Sequence, residues 1–154
     1  MNNFRLSESD RRIVRELSRD GRLPYKELAA RTGLPVSTCH GRVRALEDAG
    51  VIRGYRADID PVAAGADVQA LISVTAKGTH RDQVPELTQR FRLVPGVQSV
   101  FLLGGDRDLV VHVACESVGA LRELIQVHLG SDPALDQTRT QIVFEHSRGV
   151  DPLG

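Results

Sequence analysis

Pro35-Val36-Ser37-Thr38-Cys39-His40-Gly41-Arg42-Val43-Arg44-Ala45-Leu46-Glu47-Asp48-Ala49-Gly50 decides how the first part of this chain folds. Val36, Cys39, Val43 and Leu46 recur at alternating steps of three and four, the spacing that gathers side chains on one buried stripe of a helix, and Gly50 follows as a helix stop. The opposite face presents Ser37, Thr38, Gly41, Arg44, Ala45 and Asp48, flanked by His40 and Arg42. Short polar groups near a helix start, with Arg to reach guanine or phosphate, are what a DNA-reading helix needs. The other reading of the same face is a solvated side of a small helical bundle.

Two further helices precede this one. Ser7 and Asp10 form a capping-box pattern, Ile13, Val14 and Leu17 supply an apolar stripe, and Gly21 follows. Leu6 stands where a hydrophobic staple would sit. After Leu23-Pro24, Leu28 and Ala29 mark a second, shorter helix that Gly33 ends. A tight Gly-containing turn between it and the third helix makes a helix-turn-helix. The predicted DNA-binding domain spans 1–53.

Downstream, Val51 to Pro61 is short, strand-like and interrupted by Gly54, and Ala63 to Ala66 is small and flexible in composition. Residues 54–66 are therefore expected as a linker strand. Beyond it Ala70, Ile72, Val74 and Ala76 alternate as a strand; Val84, Leu87, Phe91 and Val94 have helical spacing; Val97 to Leu103 is a second strand. The unit then repeats, with alternating Leu109, Val111, Val113 and Cys115, a helix face of Leu121, Leu124, Ile125 and His128, and a strand over Thr138 to His146. Strand-helix-strand twice over predicts an α+β fold, a ferredoxin-like β-α-β-β-α-β domain over 67–148, with 149–154 as a tail. Both helices would cover one sheet face. Because Val110, Ala114, Phe101 and Leu103 are apolar as well, a second copy packed on the open face, a homodimer, is expected.

The whole chain has 154 residues, 41% of them hydrophobic and 26% charged, with 20 basic and 20 acidic side chains. That balance excludes a disordered or fibrous chain. No apolar run approaches the roughly 18 residues of a membrane span, and Met1 to Leu6 lacks the apolar core of a signal peptide, so no membrane is involved and the expected compartment is the cytoplasm. Net charge is unevenly placed: residues 1–60 carry twelve basic and nine acidic side chains, the remainder eight and eleven. The split points to a nucleic acid as partner of the first third alone, and with the helix-turn-helix above, double-stranded DNA is the expected one.

No catalytic machinery is visible. Cys39 and Cys115 lie far apart without a C-x-x-C pattern, Cys39 on a buried stripe, and both read as reduced thiols. The five histidines show no ligand spacing, so neither a metal nor another cofactor is expected. The most unusual string is Leu103-Gly104-Gly105-Asp106-Arg107-Asp108, between the two repeats. Consecutive glycines expose backbone N–H groups that could hold a carboxylate, while Asp106 or Asp108 could accept from an ammonium group. The same string is also ordinary turn chemistry.

With these motifs in place the chain resembles the Lrp/AsnC, or feast/famine, family of bacterial and archaeal transcriptional regulators. The first-domain similarity rests on Asp10-x-x-Ile13-x-x-x-Leu17-x-x-Asp20-Gly21-Arg22, on Glu27-Leu28-Ala29-x-Arg31-x-Gly33-Leu34, on Cys39-x-x-Arg42-Val43-x-x-Leu46-Glu47-x-x-Gly50-Val51-Ile52 and on Gly54-Tyr55. In the second it rests on Pro95-Gly96-Val97, Gly105-Asp106-x-Asp108 and Thr138-x-Thr140. The resemblance implies a winged helix-turn-helix joined to a ferredoxin-like effector domain (a dimeric α+β barrel), a homodimer formed through the sheets and often an octamer of four dimers. It implies that Ser37, Thr38, His40, Arg42 and Arg44 match the DNA-reading helix. It implies equally that Gly104, Gly105, Asp106 and Asp108, with Thr138 and Thr140, match a pocket for a small-molecule effector, an amino acid or related metabolite. Pro35 stands where a capping Ser or Thr is usual, Gly41 replaces a longer side chain, Arg107 occupies a place often aromatic, and Ala134-Leu135 replaces a second Gly-Val. The expected function is a sequence-specific DNA-binding transcriptional regulator and not an enzyme. An enzyme of the dimeric α+β-barrel type, working in the sheet-enclosed cavity, is the alternative; it would have no use for a basic helix-turn-helix.

Overall fold

Ser7 opens the first helix, α1 (Glu8–Arg19), through the capping box read from the sequence. The Asp10 N–H donates to Ser7 Oγ at 3.2 Å and the Ser7 N–H donates to an Asp10 carboxylate oxygen at 2.9 Å, so two otherwise unpaired donors are satisfied. Pro24 and Pro35 stand immediately before α2 (Tyr25–Thr32) and α3 (Val36–Asp48) and give each an extended lead-in without a side-chain cap. Gly33 ends α2 in the left-handed conformation, φ 69°, which a side chain would disfavour. Ile13, Leu28, Cys39, Val43 and Leu46 close the core between the three helices. Val36, expected on the same stripe, is 44% exposed because the first residue of α3 overhangs the edge of that core.

The computed structural model describes residues 5–147 and 149. These divide into two compact units, one built on the residues up to Asp58 and the other on Ile59–His146, so the division falls inside the segment expected as a linker. That segment holds no strand. Residues 53–60 run without ladder partners among the described residues, and a turn follows, in which Gly65 donates to Val62 at 2.9 Å and Ala66 to Pro61 at 2.8 Å. A strand needs a neighbour to take its N–H and C=O groups, and among the described residues none is offered. Apart from Gly149, the expected tail lies outside the described residues.

The second unit contains β1 (Val68–Ala76), a short 3₁₀ segment (Gly78–Gln83), α4 (Val84–Phe91), β2 (Val97–Leu102), β3 (Leu109–Cys115), α5 (Val118–Ile125) and β4 (Leu135–Val143). The sheet is antiparallel in the order β2-β3-β1-β4, the ferredoxin-like arrangement the repeat predicts. Ala70, Ile72, Val74, Leu109, Val111 and Val113 point to the helix side and pack against Leu87, Phe91, Leu121 and Leu124.

Two expectations are corrected. The fourth strand runs over Leu135–Val143 rather than Thr138 to His146, because its register is set by β1: Leu135 pairs with Ala76 past an irregularity at Thr75/Ala76, and Val143 pairs with Gln69, beside the first residue of β1. Nor is His128 a core residue. A π-helical turn over Gln126–Gly130 widens the helix end, and the side chain that enters the core is Leu129.

The open sheet face is mixed rather than uniformly apolar. Register places Phe101, Val110, Leu71 and Val143 on it, together with Gln69, Ser73, His112, Arg139 and Gln141. Phe101 is 51% exposed, whereas Ala114 on the same face is buried. Among the described residues no helix is long and apolar enough to cross a membrane.

Candidate nucleic-acid interface and effector loop

The structure divides the five residues matched to the reading helix. Ser37 and Arg44 are exposed, Thr38 is half-buried, and none of the three has a hydrogen-bond or ion-pair partner among the described residues. Arg42, on one flank, instead turns back to α1. Its guanidinium lies 2.9 Å from Asp10 Oδ1 and 3.1 Å from Ser7 Oγ. Asp10 is buried, which alone would raise its carboxyl pKa; the bonds from Ser7 and the Arg42 charge outweigh that and hold it below the usual value. On the other flank His40 stacks on Tyr25, the first residue of α2, with ring centroids 3.6 Å apart and planes 18° from parallel.

The outward face between those flanks is therefore Ser37, Thr38, Gly41, Arg44, Ala45 and Asp48. Gly41 is exposed, and a Cβ built on it would meet nothing within 4 Å among the described residues, so its glycine answers no crowding there. Behind α3, the Tyr55 hydroxyl donates to Glu47 at 2.9 Å; burial first, then this bond and the Glu47 charge, push the Tyr55 pKa up to about 12. Sequence reasoning identified Asp10 as a helix cap but not as the carboxylate that holds Arg42. It passed over Tyr25 altogether, since neither partner lies at helical spacing from the residue it holds.

In the second unit Leu103 closes the turn by donating to the Asp108 carbonyl at 2.9 Å. Gly105 takes φ 142°, a conformation that favours glycine, and both Gly104 and Gly105 have open space where a Cβ would stand. The Asp106 side chain is 95% exposed. Asp108 is different. One carboxylate oxygen accepts from the Ala76 N–H at 2.8 Å, the other faces Arg81 at 3.9 Å, and its own N–H donates to Val74 at 3.0 Å. It caps the end of β1 where the register slips. Arg107 reaches the other way, to Gln137 Oε1 at 2.8 Å and Thr75 Oγ1 at 3.1 Å.

Thr138 and Thr140 pair with Val74 and Ile72 and so lie on the helix side of the sheet edge. Thr138 shares its sheet end with the loop, one strand away across β1, and Thr140 sits two residues farther along. The loop tip thus exposes Gly104, Gly105 and the Asp106 carboxylate, which lies 4.0 Å from Arg107 Nε, while its base is consumed by the chain's own bonds. Among the described residues no group of three His, Cys, Asp or Glu side chains could hold a metal ion.

Residues 6–53 match the winged helix-turn-helix DNA-binding family, and residues 69–148 match the Lrp/AsnC ligand binding domain. The HTH-type transcriptional regulator AldR of Mycobacterium tuberculosis is 43% identical over 148 residues, spanning 96% of this chain and 83% of the relative. AldR of Mycolicibacterium smegmatis is 41% identical, spanning 96% and 86%. The crystal structure of MtbAldR superposes with a TM-score of 0.81 at 42% identity, covering 96% of this chain and all of the other, 100%. The transcriptional regulator NMB0573 of Neisseria meningitidis, solved in complex with L-Met, superposes with a TM-score of 0.82 at 27% identity, covering 94% of each chain.

Proposed function

Because the chain belongs to the Lrp/AsnC family, as a DNA-binding transcriptional regulator with a small-molecule ligand-binding domain whose relatives are named as regulators and not as enzymes, we propose that it reads DNA through α3 and senses an amino acid or a related small metabolite. Ser37, Thr38 and Arg44 face the bases; Arg42 and His40 hold the helix from its flanks. Arg44 carries this assignment, as a guanidinium exposed and uncommitted on the outward face, able to form a forked pair of bonds to a guanine edge.

The effector meets the Gly104-Gly105 amides and Asp106, with Thr138 and Thr140 toward the neighbouring edge, and Asp108 shapes the loop. An amino-acid zwitterion presents a carboxylate and an ammonium on one carbon, which open amides beside an exposed carboxylate suit. The relative solved with L-Met supports an amino acid as the class of ligand. Two copies join through the open sheet face, where Phe101 and Leu71 remain exposed, and the dimers assemble to an octamer in the cytoplasm. An effector acts by preferring one arrangement of copies over another, since equal affinity for both would shift nothing.

Footprinting on the DNA flanking the protein's own gene, repeated with the common amino acids, tests the reading. A protected, imperfectly palindromic site that Arg44→Ala fails to protect is the expected result. Equal affinity of Arg44→Ala and wild type for that site would remove α3 as the reader, and light scattering that finds monomers would remove the assembly.

A further inference from the structure

Around the axis of α3 the two flanking residues straddle the buried stripe, and each is tied to a different helix: Arg42 to α1 through Asp10, His40 to α2 through Tyr25. The second tie is the less expected. His40 is exposed, and its engagement among the described residues is the Tyr25 ring, 3.6 Å away and nearly parallel. Tyr25 is itself half-buried and packs against the core of the three helices, so the ring His40 rests on is seated in that core from its other side.

We infer that Tyr25 is a positioning residue for DNA reading: acting through His40, it fixes the rotation of α3 about its own axis and thereby the direction in which Ser37, Thr38 and Arg44 point, while His40 makes no base contact. The inference rests on α3 being the reader. Rotation of a helix moves every outward side chain together. Its loss therefore falls on contacts to base edges, which demand direction, and not on the count of phosphate contacts, which sets the salt dependence. A histidine left to choose among rotamers would provide no such stop; a ring stacked face to face on a half-buried tyrosine does.

Fluorescence anisotropy of the full chain, with a labelled duplex selected by the wild type from a random pool and the same duplex scrambled, tests it. His40→Ala is expected to weaken the selected duplex by about three- to tenfold, the range an aromatic pair carries, with the scrambled duplex and the salt slope unchanged. Tyr25→Phe and His40→Phe, which keep the stack, bind as wild type. The double variant Tyr25→Ala/His40→Ala binds no more weakly than the weaker single variant, because both remove one contact. Should Tyr25→Ala unfold the first unit, the arms at exposed His40 still decide. Wild-type binding by His40→Ala, with Arg44→Ala losing the selected duplex, overturns the inference and leaves the reading face standing. His40→Phe as weak as His40→Ala overturns it too, since the imidazole nitrogen would then be what matters. Wild-type binding by Arg44→Ala removes the face itself, and the inference falls with it.

Discussion

On α3 the outward residues Ser37, Thr38 and Arg44 are uncommitted among the described residues while their neighbours Arg42 and His40 are bound to other helices; at the Leu103–Asp108 turn the tip is open and the charged residues at its base are bound within the sheet. The two regions share one arrangement by different means. Each sets a few exposed groups on a frame of side chains that spend their contacts on the chain itself. A charged residue inside a recognition motif is thus as much a candidate for framework as for ligand contact, and the bonds it already makes separate the two roles.

The division breaks if frame residues can be removed without loss of stability. Asp10→Ala should have the largest effect, about 2 to 3 kcal/mol in chemical denaturation of the first unit, since it strips the capping box and leaves the Arg42 guanidinium without its carboxylate. Acid sharpens the same test. Asp10 titrates below its ordinary value of 3.8 in the folded chain, so its contribution is complete above that value and is lost as the pH falls through the folded-state pKa; Asp10→Asn should flatten that part of the acid unfolding curve.

Asp108→Ala should destabilise the second unit by about 2 kcal/mol, leaving the Ala76 N–H without its acceptor at the irregular end of β1. Asp106→Ala, by contrast, should change the melting temperature little and weaken effector binding in calorimetry. If Asp108→Ala melts as wild type yet no longer binds the effector, frame and contact have been assigned the wrong way round.

Arg44→Ala should lower affinity for the footprinted site by about 1 to 2 kcal/mol, relax the preference at one base and leave stability unchanged, because it holds nothing else in place. The smallest effect is the most diagnostic. Gly41→Ala should stabilise the free first unit by about 1 kcal/mol, since the helix gains a better helix-forming residue with room for its methyl group, and should weaken DNA binding if the helix backbone lies against the duplex. A variant both more stable and fully active would place Gly41 outside the contact.

Repeating patterns along single elements made most of the fold legible. Ala70, Ile72, Val74 and Ala76 announce their strand, and Cys39, Val43 and Leu46 their helix, because burial follows the period of the element. The misplaced end of β4 and the inward turn of Leu129 were not legible for the same reason. One depends on how long β1 is, the other on a local departure from the helical period that α5 otherwise keeps. The candidate sites follow the same rule: the motifs located α3 and the Gly104-Gly105 loop, but Arg42 with Asp10, His40 with Tyr25 and Asp108 with Ala76 are joined across 32, 15 and 32 positions of chain. Spacing within one element carries no information about such partners.

The π-helical turn at Gln126–Gly130 bears on how this protein tolerates changes in length. A π turn amounts to one residue inserted into an α-helix, and here the bulge absorbs the insertion before Leu129 reaches the core. Val127 is exposed within it. Excising Val127 would tighten the turn to an ordinary helical one and still bring the leucine inward, so the chain can lose a residue here while every core side chain keeps its place. Removing one from the regular turn around Leu124 would rotate the following face out of the core. Insertions and deletions in descendants of this gene should therefore collect at 126–130 and spare the turn before it.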